Sequence, residues 1–129
     1  MIFDSDVMIW AFRGNRNALA AIDNAAERAI SAVTYMELLQ GVRNKNEMRE
    51  MKKFLARLSF ATLPVTSNIT NRAVSIMEET ALKSDLGVCD AIIFATACET
   101  GHTLLSGNAK HFKEVALLNA VEFGANLKP

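Results

Sequence analysis

Three acidic side chains lie in largely apolar stretches and lack a basic neighbour within one helical turn: Asp4 in MIFDSDVM, Glu37 in TYMELL and Asp90 in GVCDAIIF. An ionised carboxylate is costly to bury without a partner, so such acids either reach water or meet a cation. If the three converge in the fold, their mutual repulsion raises their pKa values unless a cation intervenes. Oxygen ligands from a few carboxylates suit Mg²⁺ or Mn²⁺. The pattern therefore predicts a divalent-cation site.

Glu37, Asp90 and the neighbouring acid Asp6 also have purely structural explanations. Thr34, with Glu37 three residues later, fits a capping box that opens a helix. Asp90 fits a first-turn acid that the helix dipole favours, and Asp6 fits an N-cap or first-turn acid of a short helix. These explanations account for the residues one at a time, but they do not explain why all three acids of the first set share an apolar setting.

The elements that must position these residues alternate along the chain. Short strand-like segments are predicted at Met1–Asp4, Arg28–Ser31, Phe60–Val65, His102–Ser106 and Ala120–Phe123. Helical periodicity covers Asp6–Arg13, Asn17–Glu27, a stretch from Thr34 to Gly41, Lys45–Leu58, Thr66–Ala81 and Val88–Thr100. Pro64 indicates a strand end or an edge strand, and Gly107–Phe112 is predicted to be a polar loop. The alternation predicts an α/β fold with a parallel sheet, and the length predicts one domain over residues 1–129.

The carboxyl ends of parallel strands are where sites form in such folds. Asp4 ends the first predicted strand, and Ser106, Gly107 and Asn108 follow the TLLS strand. We therefore expect these two strand ends to share one mouth.

The overall charge gives no strong indication of a partner. Fourteen basic and fourteen acidic side chains leave a formal net charge of zero, so only a local patch could bind nucleic acid. The segment Arg43–Arg57 is the clearest local basic excess. Arg13 and Arg16 are further candidate phosphate contacts, and His111 beside Lys110 could also touch a phosphate, although a loop histidine is more often simply solvated.

Several other classes of site are disfavoured. Cys89 and Cys98 lack C-x-x-C spacing, and His102 and His111 are separated by a strand and a loop, so a zinc site is not indicated. No glycine-rich phosphate loop occurs. The longest apolar run is too short to span a bilayer, and no secretory leader is evident, so we expect a cytoplasmic protein without membrane contact.

Four segments together resemble the PIN-domain family, and within it the VapC-type toxin ribonucleases of type II toxin–antitoxin systems. They are FDSDVMIWAFRG, ISAVTYMELLQGVR, VCDAIIFATACETG and TLLSGNAKHF. They occur in the family's order and spacing and extend over nearly the whole chain. The resemblance implies a single PIN-like domain whose mostly parallel central sheet has four to five short strands and carries helices on both faces.

The resemblance also implies roles for individual residues. Asp4, Glu37 and Asp90 match the three acidic metal-site positions, and Asn108 matches the fourth catalytic position, which is Asp or Asn in relatives. Asp6 stands where the family usually has Ser, Thr or Asn, and it is expected to add a direct or water-mediated ligand. Candidate substrate contacts are Arg13, Arg16, Ser106, Lys110 and His111, the last at a position where many relatives have an acid.

The function implied by the resemblance is cleavage of RNA phosphodiester bonds by a water that Mg²⁺ or Mn²⁺ activates, which leaves 5′-phosphate and 3′-hydroxyl ends. Expected partners are an RNA substrate, a small cognate antitoxin and a second copy of the chain in a homodimer. The helices from Val33 to Leu58, with Met36, Met48 and Met51, are candidates for the antitoxin contact.

Two rival functions fit parts of the sequence. The opening FDSDVM also resembles haloacid-dehalogenase-like phosphatases, in which Asp4 would be the nucleophile and Asp6 the general acid. The late acidic pair of that family does not occur after LLSGN. The second rival is a PIN-like module that binds RNA or protein without cutting it, which would leave the costly acids without a purpose.

Overall fold

The computed structural model describes residues 1–125. Its elements are β1 (Ile2–Phe3), α1 (Ser5–Phe12), α2 (Arg16–Asn24), β2 (Ala29–Ser31), α3 (Ala32–Gln40), α4 (Lys45–Arg57), β3 (Ala61–Leu63), α5 (Ser67–Thr80), α6 (Val88–Thr100), β4 (Leu104–Ser106), a 3-10 helix (Ala109–Glu114) and β5 (Ala120–Glu122). The helix–strand alternation that the sequence predicts is therefore confirmed. No helix in the described part of the chain is both long and apolar enough to span a bilayer.

The five strands form one sheet in the order β3-β2-β1-β4-β5, and all four pairings are parallel. The three central strands are buried along their whole length, as expected for a parallel sheet covered on both sides. β3 is an edge strand that ends at Leu63, directly before Pro64. The proline prediction is therefore confirmed, because a residue without an amide hydrogen cannot continue the ladder.

Alternate residues of the central strands face two separate cores. Ile2 and Leu104 pack in a cluster with α5 and α6, whereas Phe3 and Leu105 pack in a cluster with α1, α2, α3 and α4. Ile2 and Phe3 are both 0% exposed, and full burial of such a side chain contributes about 1.5–3 kcal/mol. The prediction of helices on both faces of the sheet is confirmed.

The capping-box prediction for Thr34 and Glu37 is wrong. α3 begins at Ala32, and its N-cap is Ser31, whose hydroxyl accepts the Val33 N–H at 3.1 Å. Ser31 is itself the last residue of β2, so strand and helix follow each other without a loop. Glu37 therefore lies in the interior of α3, where it has no capping role.

Gly107–Phe112 is also more ordered than the predicted polar loop. Residues Ala109–Glu114 form the 3-10 helix, and His111 within it is only 5% exposed. Its ring faces carboxylates of Asp85 and Glu114. These contacts stabilise a short helix that composition alone does not indicate.

Candidate metal centre

Asp4 joins the ends of two strands. It follows β1 and is the N-cap of α1, where its Oδ1 accepts the Ser5 N–H at 2.8 Å. Its backbone N–H donates to the Leu105 carbonyl at 2.9 Å, and its Oδ2 accepts a hydrogen bond from the Ser106 hydroxyl at 2.8 Å. The side chain is only 8% exposed. The ends of β1 and β4 therefore meet, as their positions in a parallel sheet require.

Ser106 connects Asp4 to the loop that carries Asn108. Its hydroxyl donates to Asp4 and accepts the Asn108 N–H at 3.1 Å. Ser106 is 0% exposed, whereas Asn108 is exposed. The structure thus places Ser106, a predicted substrate contact, beneath the surface and against Asp4.

Asp6 lies in the first turn of α1, two residues after Asp4. Its Oδ1 accepts the Val7 N–H and its Oδ2 accepts the Gly107 N–H, both at 2.8 Å. A Cβ atom on residue 107 would lie 2.5 Å from the same Oδ2. Glycine is therefore required at this position for the carboxylate to approach the backbone so closely.

The predicted acids also interact electrostatically. Burial raises the pKa of Asp6, and the charge of Asp4 raises it further. Burial and then Asp4 also raise the pKa of Glu37, where Asp90 and Asp6 add to the increase and the Ser5 side chain opposes it. Asp4, Asp6 and Asp90 therefore all act electrostatically on Glu37.

Asp90 completes this acidic group from the first turn of α6. Burial raises its pKa, Asp4 raises it further, and His111 lowers it. The helix dipole at this end favours a negative charge. Asp90 is therefore a first-turn acid, as its structural explanation predicts, and it also interacts with the other acids.

The chemistry of this group fits a hard divalent cation. Among residues 1–125, Glu37 Oε1 is buried without a hydrogen-bond partner, an arrangement that costs free energy unless a ligand satisfies the oxygen. Within residues 1–125, no three acidic, histidine or cysteine side chains are already arranged to hold a metal ion. Repulsion among carboxylates favours their separation until a cation offsets it. The fit therefore rests on the carboxylate donors and on the unsatisfied Glu37 oxygen.

A cleft of about 460 Å³ opens beside Glu37, between α1, α3 and α4. Its lining combines apolar and basic side chains: Ile9, Phe12, Arg13, Leu38, Gly41, Val42, Arg43 and Met51, together with Glu37 and Glu47. Arg13 thus lies close to the acidic group, whereas Arg16 is exposed at the start of α2. The cleft was not evident from the sequence, because its walls come from three helices.

Two further predicted substrate contacts are engaged with acids. Lys110 Nζ lies 2.9 Å from Asp85 Oδ2. The ring of His111 contacts Asp85 through Nε2, at 3.1 Å, and Glu114 through Nδ1. Sequence reasoning did not single out Asp85 or Glu114. The i,i+3 spacing of His111 and Glu114 could have indicated their contact. The contact of His111 with Asp85 spans 26 positions, so no local pattern indicates it.

Comparisons with solved structures agree with this architecture. A chain from VapBC2 of Rickettsia felis bound to a promoter DNA fragment superposes with a TM-score of 0.82, at 20% identity, covering 96% of this chain and 100% of that chain. A chain from a Klebsiella pneumoniae toxin–antitoxin complex gives 0.74 at 28% identity, with 95% and 98% covered. FitAcB from Neisseria gonorrhoeae gives 0.76 at 20% identity, with 98% and 99% covered.

Sequence comparison identifies the family. A search of curated proteins finds no significant match. The sequence profile of the PIN domain matches residues 1–118, a range that includes every candidate site residue described above. The chain therefore belongs to the PIN domain family.

Proposed function

We propose that this chain is a metal-dependent endoribonuclease and the toxin of a VapBC-type toxin–antitoxin pair. The observation that carries the proposal is the group formed by Asp4, Asp6, Glu37 and Asp90 at the carboxyl end of the sheet, where the charge of Asp4 raises the pKa values of the other three. Such a group of carboxylates is unfavourable without a cation. Membership of the PIN domain family supports a nuclease function for that cation.

In this proposal the chain's own residues have distinct tasks. Asp4, Asp6, Glu37 and Asp90 would hold Mg²⁺ or Mn²⁺, which when bound would supply an activated water and offset charge on the scissile phosphate. Ser106 orients Asp4 through its hydrogen bond and fixes the backbone of Asn108.

The substrate would approach from the side of the cleft. The exposed guanidinium of Arg13, on the cleft wall beside Glu37, would contact an RNA phosphate near the scissile bond. The side-chain amide of Asn108, which is exposed and follows the end of β4, would face the same mouth. Arg16 and Lys110 are more distant candidates for backbone contacts.

The cleft between α1, α3 and α4 also supports an antitoxin partner. The neighbours from Rickettsia felis and Klebsiella pneumoniae are parts of a VapBC complex and of a toxin–antitoxin complex. In this chain the cleft combines an apolar lining, which includes Met51, with two arginines, and polarizable methionine suits a contact that adapts to its partner. We propose that an antitoxin segment occupies this cleft and so blocks access to Glu37.

Homodimer formation and a cytoplasmic location remain predictions. Light scattering of the purified chain at several concentrations tests the first: a mass of twice the protomer is expected, and a monomer throughout the range would contradict it.

Cleavage assays on the purified chain test the proposed activity. Incubation with a mixed cellular RNA pool should yield fragments with 5′-phosphate and 3′-hydroxyl ends, EDTA should stop the reaction, and added Mg²⁺ or Mn²⁺ should restore it. Glu37→Gln should abolish cleavage, while Glu79→Gln, at an exposed position on α5, should not.

Three outcomes would contradict the nuclease proposal. Cleavage that continues in EDTA would show that the reaction does not need a metal ion. RNA binding without any cleavage would favour the binding module. Hydrolysis of a phosphomonoester with a trapped aspartyl-phosphate on Asp4 would favour the phosphatase.

A further inference from the structure

A second polar cluster lies beside the acidic group and is not part of it. His111 is at its centre, with a side chain only 7% exposed. Nε2 lies 3.1 Å from Asp85 Oδ1, and Nδ1 contacts Glu114 Oε2. Each ring nitrogen of this buried side chain therefore faces a carboxylate oxygen.

The cluster connects two segments that are distant in sequence. Asp85 belongs to the stretch between α5 and α6, whereas His111 and Glu114 belong to the 3-10 helix. Ser84 strengthens the connection, because its hydroxyl donates to Glu114 Oε2 at 2.9 Å and accepts the Leu86 N–H at 3.2 Å.

Each connected segment leads directly to a candidate site residue. Leu86 is 4% exposed and packs in the same core as α6, whose first turn carries Asp90. The 3-10 helix begins at Ala109, immediately after Asn108. The His111 cluster therefore fixes the start of α6 against the loop that carries Asn108.

Both ring nitrogens of His111 are already directed at carboxylates, so neither is available to donate to an RNA phosphate in this arrangement. This geometry separates two roles that the sequence left open for His111, namely contact with substrate and support of the site. The burial of the ring favours support.

We infer that His111, clamped between Asp85 and Glu114, is a positioning residue that sets the distance between Asp90 and Asn108 across the mouth of the site. The inference rests on the proposed function only in that it names Asp90 and Asn108 as site residues. The clamp itself exists whether or not the chain cleaves RNA.

His111→Leu removes both ring nitrogens while it keeps an apolar side chain of similar bulk in the buried position. The edge-to-face contact of Phe112 with Phe94, at 6.1 Å between ring centroids, still holds the 3-10 helix on α6. Lys113→Ala is the matched control, since Lys113 is exposed on the same 3-10 helix.

Hydrogen exchange of the metal-free protein gives a readout that depends on neither RNA nor metal. In His111→Leu, backbone amides of residues 106–109 and 86–90 should exchange about tenfold faster, which corresponds to the loss of a charge-assisted hydrogen bond. Lys113→Ala should match the wild type. Asp85→Asn and Glu114→Gln, which each weaken one side of the clamp, should give smaller increases, and they keep the test decisive if His111→Leu does not fold.

Calorimetric titration with Mn²⁺, well below the unfolding temperature, gives the second readout. The affinity of His111→Leu should fall about tenfold, whereas a purely structural role would lower only the melting temperature. Unchanged exchange in all three cluster variants, or unchanged Mn²⁺ affinity in folded His111→Leu, overturns the inference. If the wild type binds no Mn²⁺ but the variants still loosen both segments, the clamp stands and the proposed function fails.

Discussion

The Ser106 hydroxyl donates a 2.8 Å hydrogen bond to Asp4 Oδ2 and thereby joins the last residue of β4 to the residue that follows β1. The same hydroxyl accepts the Asn108 N–H. The buried Ser106 side chain thus supports both the carboxylate of Asp4 and the backbone of Asn108. Its removal affects the two together.

Replacement of Ser106 by alanine should lower both stability and activity. Asp4 Oδ2 would lose its donor in a buried setting, which costs about 1–3 kcal/mol in the free energy of unfolding. Cleavage should fall about tenfold, because the orientation of a candidate ligand is lost. Denaturant unfolding and initial cleavage rates check both expectations, with Ser75→Ala, exposed on α5, as control. An unchanged rate in Ser106→Ala would show that the hydrogen bond does not position Asp4.

Gly107→Ala should disturb the site through a steric contact. The new Cβ would lie 2.5 Å from Asp6 Oδ2, so the hydrogen bond from the Gly107 N–H must lengthen, at a cost of about 1 kcal/mol. In Gly124→Ala the new Cβ meets no atom of residues 1–125 within 4 Å, which makes it a matched control. Thermal unfolding of the two variants should differ; equal melting temperatures would mean that Asp6 moves aside without cost.

Neutral substitutions of the three principal acids should abolish cleavage and preserve the fold. Asp4→Asn, Glu37→Gln and Asp90→Asn each remove one charge from the proposed cation site, so we expect a loss of roughly a hundredfold or more. Circular dichroism checks the fold. Full activity in any one variant would show that the substituted residue is not part of the cation site.

Asn108→Ala should weaken cleavage without abolishing it, because a neutral amide contributes less to cation binding than a carboxylate. Initial rates at several Mn²⁺ concentrations measure the loss. Complete inactivity at saturating Mn²⁺ would give Asn108 a larger role than the proposal assigns.

The raised pKa of Glu37 predicts how stability depends on pH in EDTA. A carboxyl group whose pKa is higher in the folded state binds protons more tightly there, so its stabilising contribution is present below its ordinary value of 4.5 and is lost as the pH rises through the folded pKa. At pH 7 the ionised group is therefore a source of instability, and Glu37→Gln should be more stable than the wild type.

Melting curves from pH 4 to pH 8 check this expectation, since the advantage of Glu37→Gln should disappear at the acidic end. The lowered pKa of Asp85, caused first by its hydrogen bond from Lys110, acts in the opposite direction in both proteins and cancels in the comparison. An advantage that is independent of pH would contradict the electrostatic origin.

The sequence predicted the features that local patterns determine. Helical periodicity and short apolar runs indicated the alternation of elements, and Pro64 marked the edge strand. The position of Asp4 at a strand end then predicted its meeting with Ser106, because the carboxyl ends of parallel strands share one edge.

Features that depend on contacts between distant segments were not predictable. The capping box failed because Ser31 both ends β2 and caps α3, and the local pattern at Thr34 matched the motif equally well. The His111 cluster was missed because Asp85 lies on another segment. The cleft beside Glu37 needs three helices for its walls.

Calorimetric titration of the metal-free wild type with Mn²⁺ at pH 7 tests most directly whether the four carboxylates form one cation site. We predict binding of at least one Mn²⁺, because the cation offsets the repulsion among the carboxylates, and a large loss of affinity in Asp90→Asn and Glu37→Gln. Absence of binding, or equal binding in both variants and the wild type, would contradict the account.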